Sequence, residues 1–132
     1  MFLRYHLPTL LWALFILVIC AIPGERIPKL TFLEWLKPDK IVHFLVFAFL
    51  SLLLLRSFID AGLLSWKQNN IVVFAVCLAI IYGALVEFLQ YSVFINRSGD
   101  IRDALANAIG ALIGWWIYKR YLLSKKSDNK LQ

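Results

Sequence analysis

The side chains best equipped for chemistry sit at the edges of long apolar runs. Asp39, Lys40 and His43 open one run, Glu87 and Gln90 close another, and Asp100, Asp103 and Asn107 open a third, with Arg97 and Arg102 beside the last group. Asp39 and His43 are four apart, Glu87 and Gln90 three apart, and Asp100, Asp103 and Asn107 three and four apart, so on helices each set lines one face. His43 and Glu87 lie about a turn inside apolar sequence, where a lone ionisable group is costly unless it is paired or used. They are candidates for a general acid and base, or for a buried polar network. With Gln90, Asp103 and Asn107 they can line a polar pocket whose rim carries Arg97 and Arg102. Asp39 and Asp100 complete the candidate ligand-binding set.

Plainer roles exist for several of these residues. Asp39 and Asp100 stand where helix N-caps belong, and Asp103 falls in a first helical turn, where a carboxylate favours the helix dipole. Lys40 and Arg102 read as lipid-headgroup contacts. Arg97 lies in the Asn96-Arg97-Ser98-Gly99 turn, where a solvated charge is the default, and Asn107 can bond a neighbouring helix. His43, Glu87 and Asp103 are acceptable zinc ligands, but nothing in their spacing requires zinc, so neither metal nor cofactor is expected. The chain has no Walker A, GxGxxG, GxSxG or HExxH pattern. Ser92 and Ser98 have no recognisable base beside them, which leaves no clear nucleophile.

The elements that position these residues follow from composition. Of 132 residues, 61% are hydrophobic and only 17% charged, against about 25% charged in ordinary soluble domains. The apolar residues come in four uncharged blocks, Leu7 to Ile22, Ile41 to Leu55, Ile71 to Val86 and Ala104 to Tyr118. Each extends through its flanks toward the roughly 20 residues of a membrane span. Past the fourth block Lys119 and Arg120 can snorkel to the interface. The expected fold is an all-α integral membrane protein, a four-helix transmembrane bundle with spans near 6–23, 40–59, 70–90 and 103–123, forming one domain over 1–132. A soluble enzyme domain, a coiled coil and a disordered tail are excluded.

The first block resembles a signal peptide in length, but a large Ile19 precedes Cys20 and no A-x-A site follows, so a retained helix is expected. Thr31 and Glu34 have capping-box spacing ahead of Pro38, with Phe32, Leu33 and Leu36 on one face. This predicts a short interfacial helix in the first outer loop. Ala106, Gly110 and Gly114 form a small-xxx-small ribbon, with Gly83 available on the third span, a helix-packing signal. Cys20 and Cys77 are read as packing residues.

The net charge of +6 does not indicate nucleic acid, because Lys and Arg flank apolar blocks as topology signals. In an up-and-down bundle one side holds Arg4, Arg56, Lys67, Lys119, Arg120, Lys125, Lys126 and Lys130, eight in all. The other holds six, Arg26, Lys29, Lys37, Lys40, Arg97 and Arg102. The positive-inside rule then predicts cytoplasmic termini, with the polar clusters converging at the outer face of the inner membrane. Trp115, Trp116, Tyr118 and Tyr121 fit an aromatic belt at the inner surface.

At these positions the sequence resembles the VanZ-like family of small bacterial membrane proteins. The elements are Asp39-Lys40-x-x-His43-Phe44, Tyr82-Gly83-x3-Glu87-x-x-Gln90, and Arg97-x-x-Asp100-x-x-Asp103-x3-Asn107-x-x-Gly110-x3-Gly114, in order over residues 37–116. The family takes its name from a protein conferring low-level teicoplanin resistance, and the resemblance implies action at the envelope surface. Two function classes stay open. In the first, the polar pocket binds an envelope lipid, a cell-wall precursor or a glycopeptide, with membrane lipids as surroundings. In the second, Glu87 or His43 acts as general acid or base on a lipid-linked substrate. An assembly subunit using the glycine ribbon is a third option.

Overall fold

The computed structural model describes residues 2–23, 38–61, 68–94 and 99–128. It holds four helices, α1 (Phe2–Ala21), α2 (Pro38–Asp60), α3 (Gln68–Ser92) and α4 (Ile101–Asp128), which matches the all-α bundle expected from composition. The interfacial helix expected over Thr31 to Leu36 lies outside the described residues, as does Arg97.

Three helices are long and apolar enough to cross a membrane, over Arg4–Ala21, Asp39–Asp60 and Asn70–Ser92. The fourth, α4, has the length, but its apolar run is interrupted by Asn107 and closed by Lys119 and Arg120. Those two cations lie over indole rings, Lys119 on Trp115 at 5.7 Å and Arg120 on Trp116 at 5.2 Å. A basic side chain stacked on an amphipathic ring suits a membrane boundary.

The surface is apolar and much of the interior polar. Leu10, Leu14 and Val18 of α1, Val73, Ile81 and Phe88 of α3, and Leu105 and Ile109 of α4 are all exposed, whereas His43, Ser51, Glu87, Gln90, Asp103 and Asn107 are buried. Water disfavours such a surface over so large an area, and hydrocarbon does not.

Because the exposed faces of the spans are largely apolar, the contacts that orient the helices are polar bonds and close backbone approaches. Thr9 donates to the Leu53 carbonyl (3.2 Å) and Trp12 to the Val46 carbonyl (3.0 Å), so α1 runs antiparallel to α2. The Tyr82 hydroxyl donates to the Ala13 carbonyl at 2.6 Å and ties α3 to α1. Helix α2 is central, and its pairing with α4 is the most extensive. Lys40 meets Asp103, His43 meets Asn107, and Phe44 and Ala48 face Gly110 and Gly114, so α2 and α4 run parallel.

The ribbon of small residues therefore packs on α2. A Cβ added at Gly110 would strike the Phe44 carbonyl, and one at Gly114 the Ala48 carbonyl. Gly83 of α3 lies instead against Asn107, whose Cβ would be 2.9 Å from an added Cβ. Ala106 is only half-buried. Below the polar level, Ile16, Phe47, Leu50, Leu55, Ala75, Ala79, Val86 and Ala111 form the apolar core.

Candidate functional site

One end of the bundle gathers the start of α2, the end of α3 and the start of α4. Helix α2 begins at Pro38, which suits a first helical position because its missing N–H needs no partner there. Asp39 therefore falls inside the first turn and is not the N-cap that the sequence suggested. Asp100 does cap α4. Its carbonyl accepts from the Asp103 and Ala104 amides, and its Oδ1 accepts from the Arg102 amide at 2.9 Å. That bond and the Lys40 ammonium hold the Asp100 carboxyl below the usual carboxylate range.

Lys40 spans the two helices. Its Nζ lies 3.0 Å from Asp100 Oδ2 and 2.5 Å from Asp103 Oδ1. The expectation of a headgroup contact is corrected here, since this ammonium is engaged by two carboxylates of α4, one of them buried. Its spacing offered a signal, because Lys40 and His43 are three apart on one face, as are Asp100 and Asp103 opposite. Asp103, in turn, is occupied by an ion pair more than by the helix dipole.

His43, Glu87 and Asn107 form the buried centre. His43 Nδ1 is 3.0 Å from Asn107 Oδ1 and 3.4 Å from Glu87 Oε1. Both facing atoms are acceptors, so Nδ1 is the donor toward them. Asn107 Nδ2 donates to Glu87 Oε1 at 3.4 Å, and the Asp100 amide donates to Glu87 Oε2 at 3.2 Å. One carboxylate thus binds the histidine, the amide and the start of α4. Gly99 lets this turn lie close, since a Cβ there would meet the Glu87 carbonyl at 2.5 Å.

Gln90 takes a different direction. It is buried and donates to the Cys20 carbonyl at 3.1 Å, joining the end of α3 to the end of α1. Arg102 is exposed on the first turn of α4. Of the expected set, the structure brings together Asp39, His43, Glu87, Asp100, Asp103 and Asn107, adds Lys40, and leaves Gln90 to one side. These groups bond one another closely. Among the described residues an open cavity of about 360 Å³ lies at the opposite end, lined by Arg4, Tyr5, Thr9, Arg56, Ser57 and Asp60 among others. None of the clustered residues borders it.

A protein-family model described as VanZ/LLP1 matches residues 7–124. The chain belongs to the VanZ/LLP1 family. The match reaches beyond the 37–116 stretch that carries the motifs and takes in α2, α3 and most of α1 and α4 of this VanZ/LLP1 protein. No curated protein and no solved structure shows significant similarity to the chain.

Proposed function

We propose that this VanZ/LLP1 protein is a membrane-embedded recognition module whose polar end binds the head of an amphiphilic envelope molecule, an envelope lipid, a cell-wall precursor or a glycopeptide. The observation that carries the reading is the burial of His43, Glu87, Asp103 and Asn107 as one interbonded cluster on three helices. Such a cluster is costly in a membrane interior unless it organises something. In this reading the buried groups are a scaffold that fixes the exposed polar atoms of Asp39, Asp100 and Arg102. Arg97 and Arg102 supply rim charge, and Asn107 and Gln90 act on selectivity by holding the helix ends in register. Changes in teicoplanin susceptibility would follow where the bound molecule is the antibiotic or its target.

The test is binding of defined anionic lipids, a lipid-linked cell-wall precursor and teicoplanin to the purified chain in nanodiscs. Arg102→Ala and Arg97→Ala are each expected to weaken anionic ligands about tenfold, the worth of one charge-assisted hydrogen bond. Asn107→Ala changes the ranking among ligands. Unchanged binding in all three variants, with helicity intact, removes the proposal.

A second reading is supported by the His43–Glu87 contact at 3.4 Å, an acid–base geometry that can serve proton transfer on a lipid-linked substrate. Turnover of such a substrate that Glu87→Gln abolishes would favour it.

The orientation belongs to the same proposal. The eight-to-six count of Lys and Arg puts both termini in the cytoplasm of a multi-pass inner-membrane protein and the polar end outside. In a chain lacking Cys20 and Cys77, a cysteine at Ser98 is expected to react with an impermeant maleimide in intact cells and one at Ser65 only after lysis. The reverse pattern would invert the topology and place the cluster at the inner surface.

A further inference from the structure

At the polar end three side chains able to ligate a metal face one space. Ligand atoms of Asp39, His43 and Asp103 lie within 4.8 Å of one another. His43 is buried, and its Nδ1 is taken by Asn107 Oδ1 and Glu87 Oε1, both acceptors. Its Nε2 points the other way, toward Asp39 Oδ1 at 3.9 Å, beyond hydrogen-bond length. One imidazole nitrogen and two carboxylates thus converge on a single space between α2 and α4.

We propose that Asp39, His43 and Asp103 form a binding site for a divalent transition-metal ion, with Glu87 as the residue that positions His43. The proposal deepens the recognition reading and rests on it for its role, because a metal at this end would present an electrophilic contact to phosphate or carboxylate groups of the bound molecule. The donor set is one imidazole nitrogen and two carboxylates. Imidazole favours zinc-like ions over magnesium and calcium, which prefer all-oxygen shells. Three protein ligands leave a coordination position open, as in zinc sites that act on a substrate. The carboxylate behind the histidine has the arrangement by which metal-binding imidazoles are held in one tautomer.

The ligand atoms, within 4.8 Å of one another, would have to draw together on binding an ion. Bonds of about 2.1 Å set ligand atoms roughly 3.4 Å apart in a tetrahedron, and the 3.9 Å pair closes by rotation of Asp39, whose side chain is 55% exposed. Lys40 competes, because its ammonium already holds Asp103 Oδ1. An ion would share Asp103 with this ammonium, whose positive charge weakens binding.

The full-length chain, stripped with a chelator in nanodiscs, is titrated with Zn²⁺, and with Co²⁺ as a spectroscopic reporter of nitrogen ligation. One ion per chain is expected, undisplaced by excess Mg²⁺. Asp39→Asn, at an exposed position that leaves folding intact, should weaken Zn²⁺ at least tenfold. Glu87→Gln should weaken it about 10- to 100-fold without removing a ligand. Lys40→Met should tighten it. Zn²⁺ held equally by the original chain and Asp39→Asn, or a Co²⁺ spectrum without nitrogen ligation, overturns the proposal. Lipid binding is measured in the same nanodiscs with and without chelator. Lipid binding without Zn²⁺ uptake removes the metal alone, whereas Zn²⁺ uptake without binding of any envelope ligand removes the recognition reading and keeps the metal site.

Discussion

Replacing Gly110 and Gly114 together by alanine is expected to separate α2 from α4 and lose the folded bundle. At both positions the added methyl meets backbone, the Phe44 carbonyl in one case and the Ala48 carbonyl in the other, with Ser51 Cβ also 2.9 Å from the second. A flexible side chain could turn aside, but a helix backbone cannot, so the helices themselves must move apart. Each substitution should cost about 3 kcal/mol, the upper end for overpacking a well-filled interior. The two lie one turn apart on the same contact, so their effects reinforce each other. The loss also reaches the polar end, because Lys40 and His43 of α2 must stay within reach of Asp103 and Asn107 of α4. Denaturant titration in detergent, followed by helicity and protease resistance, provides the measurement. Ile109→Ala, on the exposed face of the same helix, is the control and should shift stability by no more than about 0.5 kcal/mol. A double glycine variant as stable as this control would show that close approach of α2 and α4 is not what holds them.

The second large effect is expected at Glu87. Its carboxylate accepts from the Asp100 amide and from Asn107, and it faces His43 Nδ1. Glu87→Ala leaves the Asp100 amide and Asn107 Nδ2 without their acceptor and His43 Nδ1 with Asn107 Oδ1 alone, a loss of about 3 kcal/mol. Glu87→Gln keeps an acceptor oxygen and the side-chain volume and should cost clearly less. Because His43 and Glu87 act on each other, the double variant His43→Ala with Glu87→Ala should lose at least about 1 kcal/mol less than the two single losses combined. Additive losses in that cycle would separate the two residues and break the network into independent caps. Unchanged stability in Glu87→Ala would mean that α4 starts at Asp100 without help from α3.

Four long helices with apolar exteriors are dictated by the sequence, because a backbone in hydrocarbon must satisfy its own hydrogen bonds and runs of this length can do so only as helices. The same patterning sets alternating direction, and with it the level at which Asp39, His43, Glu87, Asp103 and Asn107 meet. Helical spacing then puts each set on one face, and the gathering of these residues at one end was legible for that reason. Rotation and neighbour order were not legible. A membrane helix is apolar on nearly all sides, so hydrophobic periodicity carries little phase information, and the helices turn until small residues and polar bonds meet. That the Gly110–Gly114 ribbon lies on α2 while Gly83 receives Asn107 emerges from the packed bundle. The same packing also turned Gln90 toward the Cys20 carbonyl and away from the cluster. Lys40 shows the difference most directly. One turn from the membrane edge, a lysine can extend to headgroups or fold onto a partner, and its own helix offers no partner for that choice. The parallel approach of α4 brings Asp100 and Asp103 within 3.0 Å of its ammonium, and ion pairing across the α2–α4 contact replaces the headgroup.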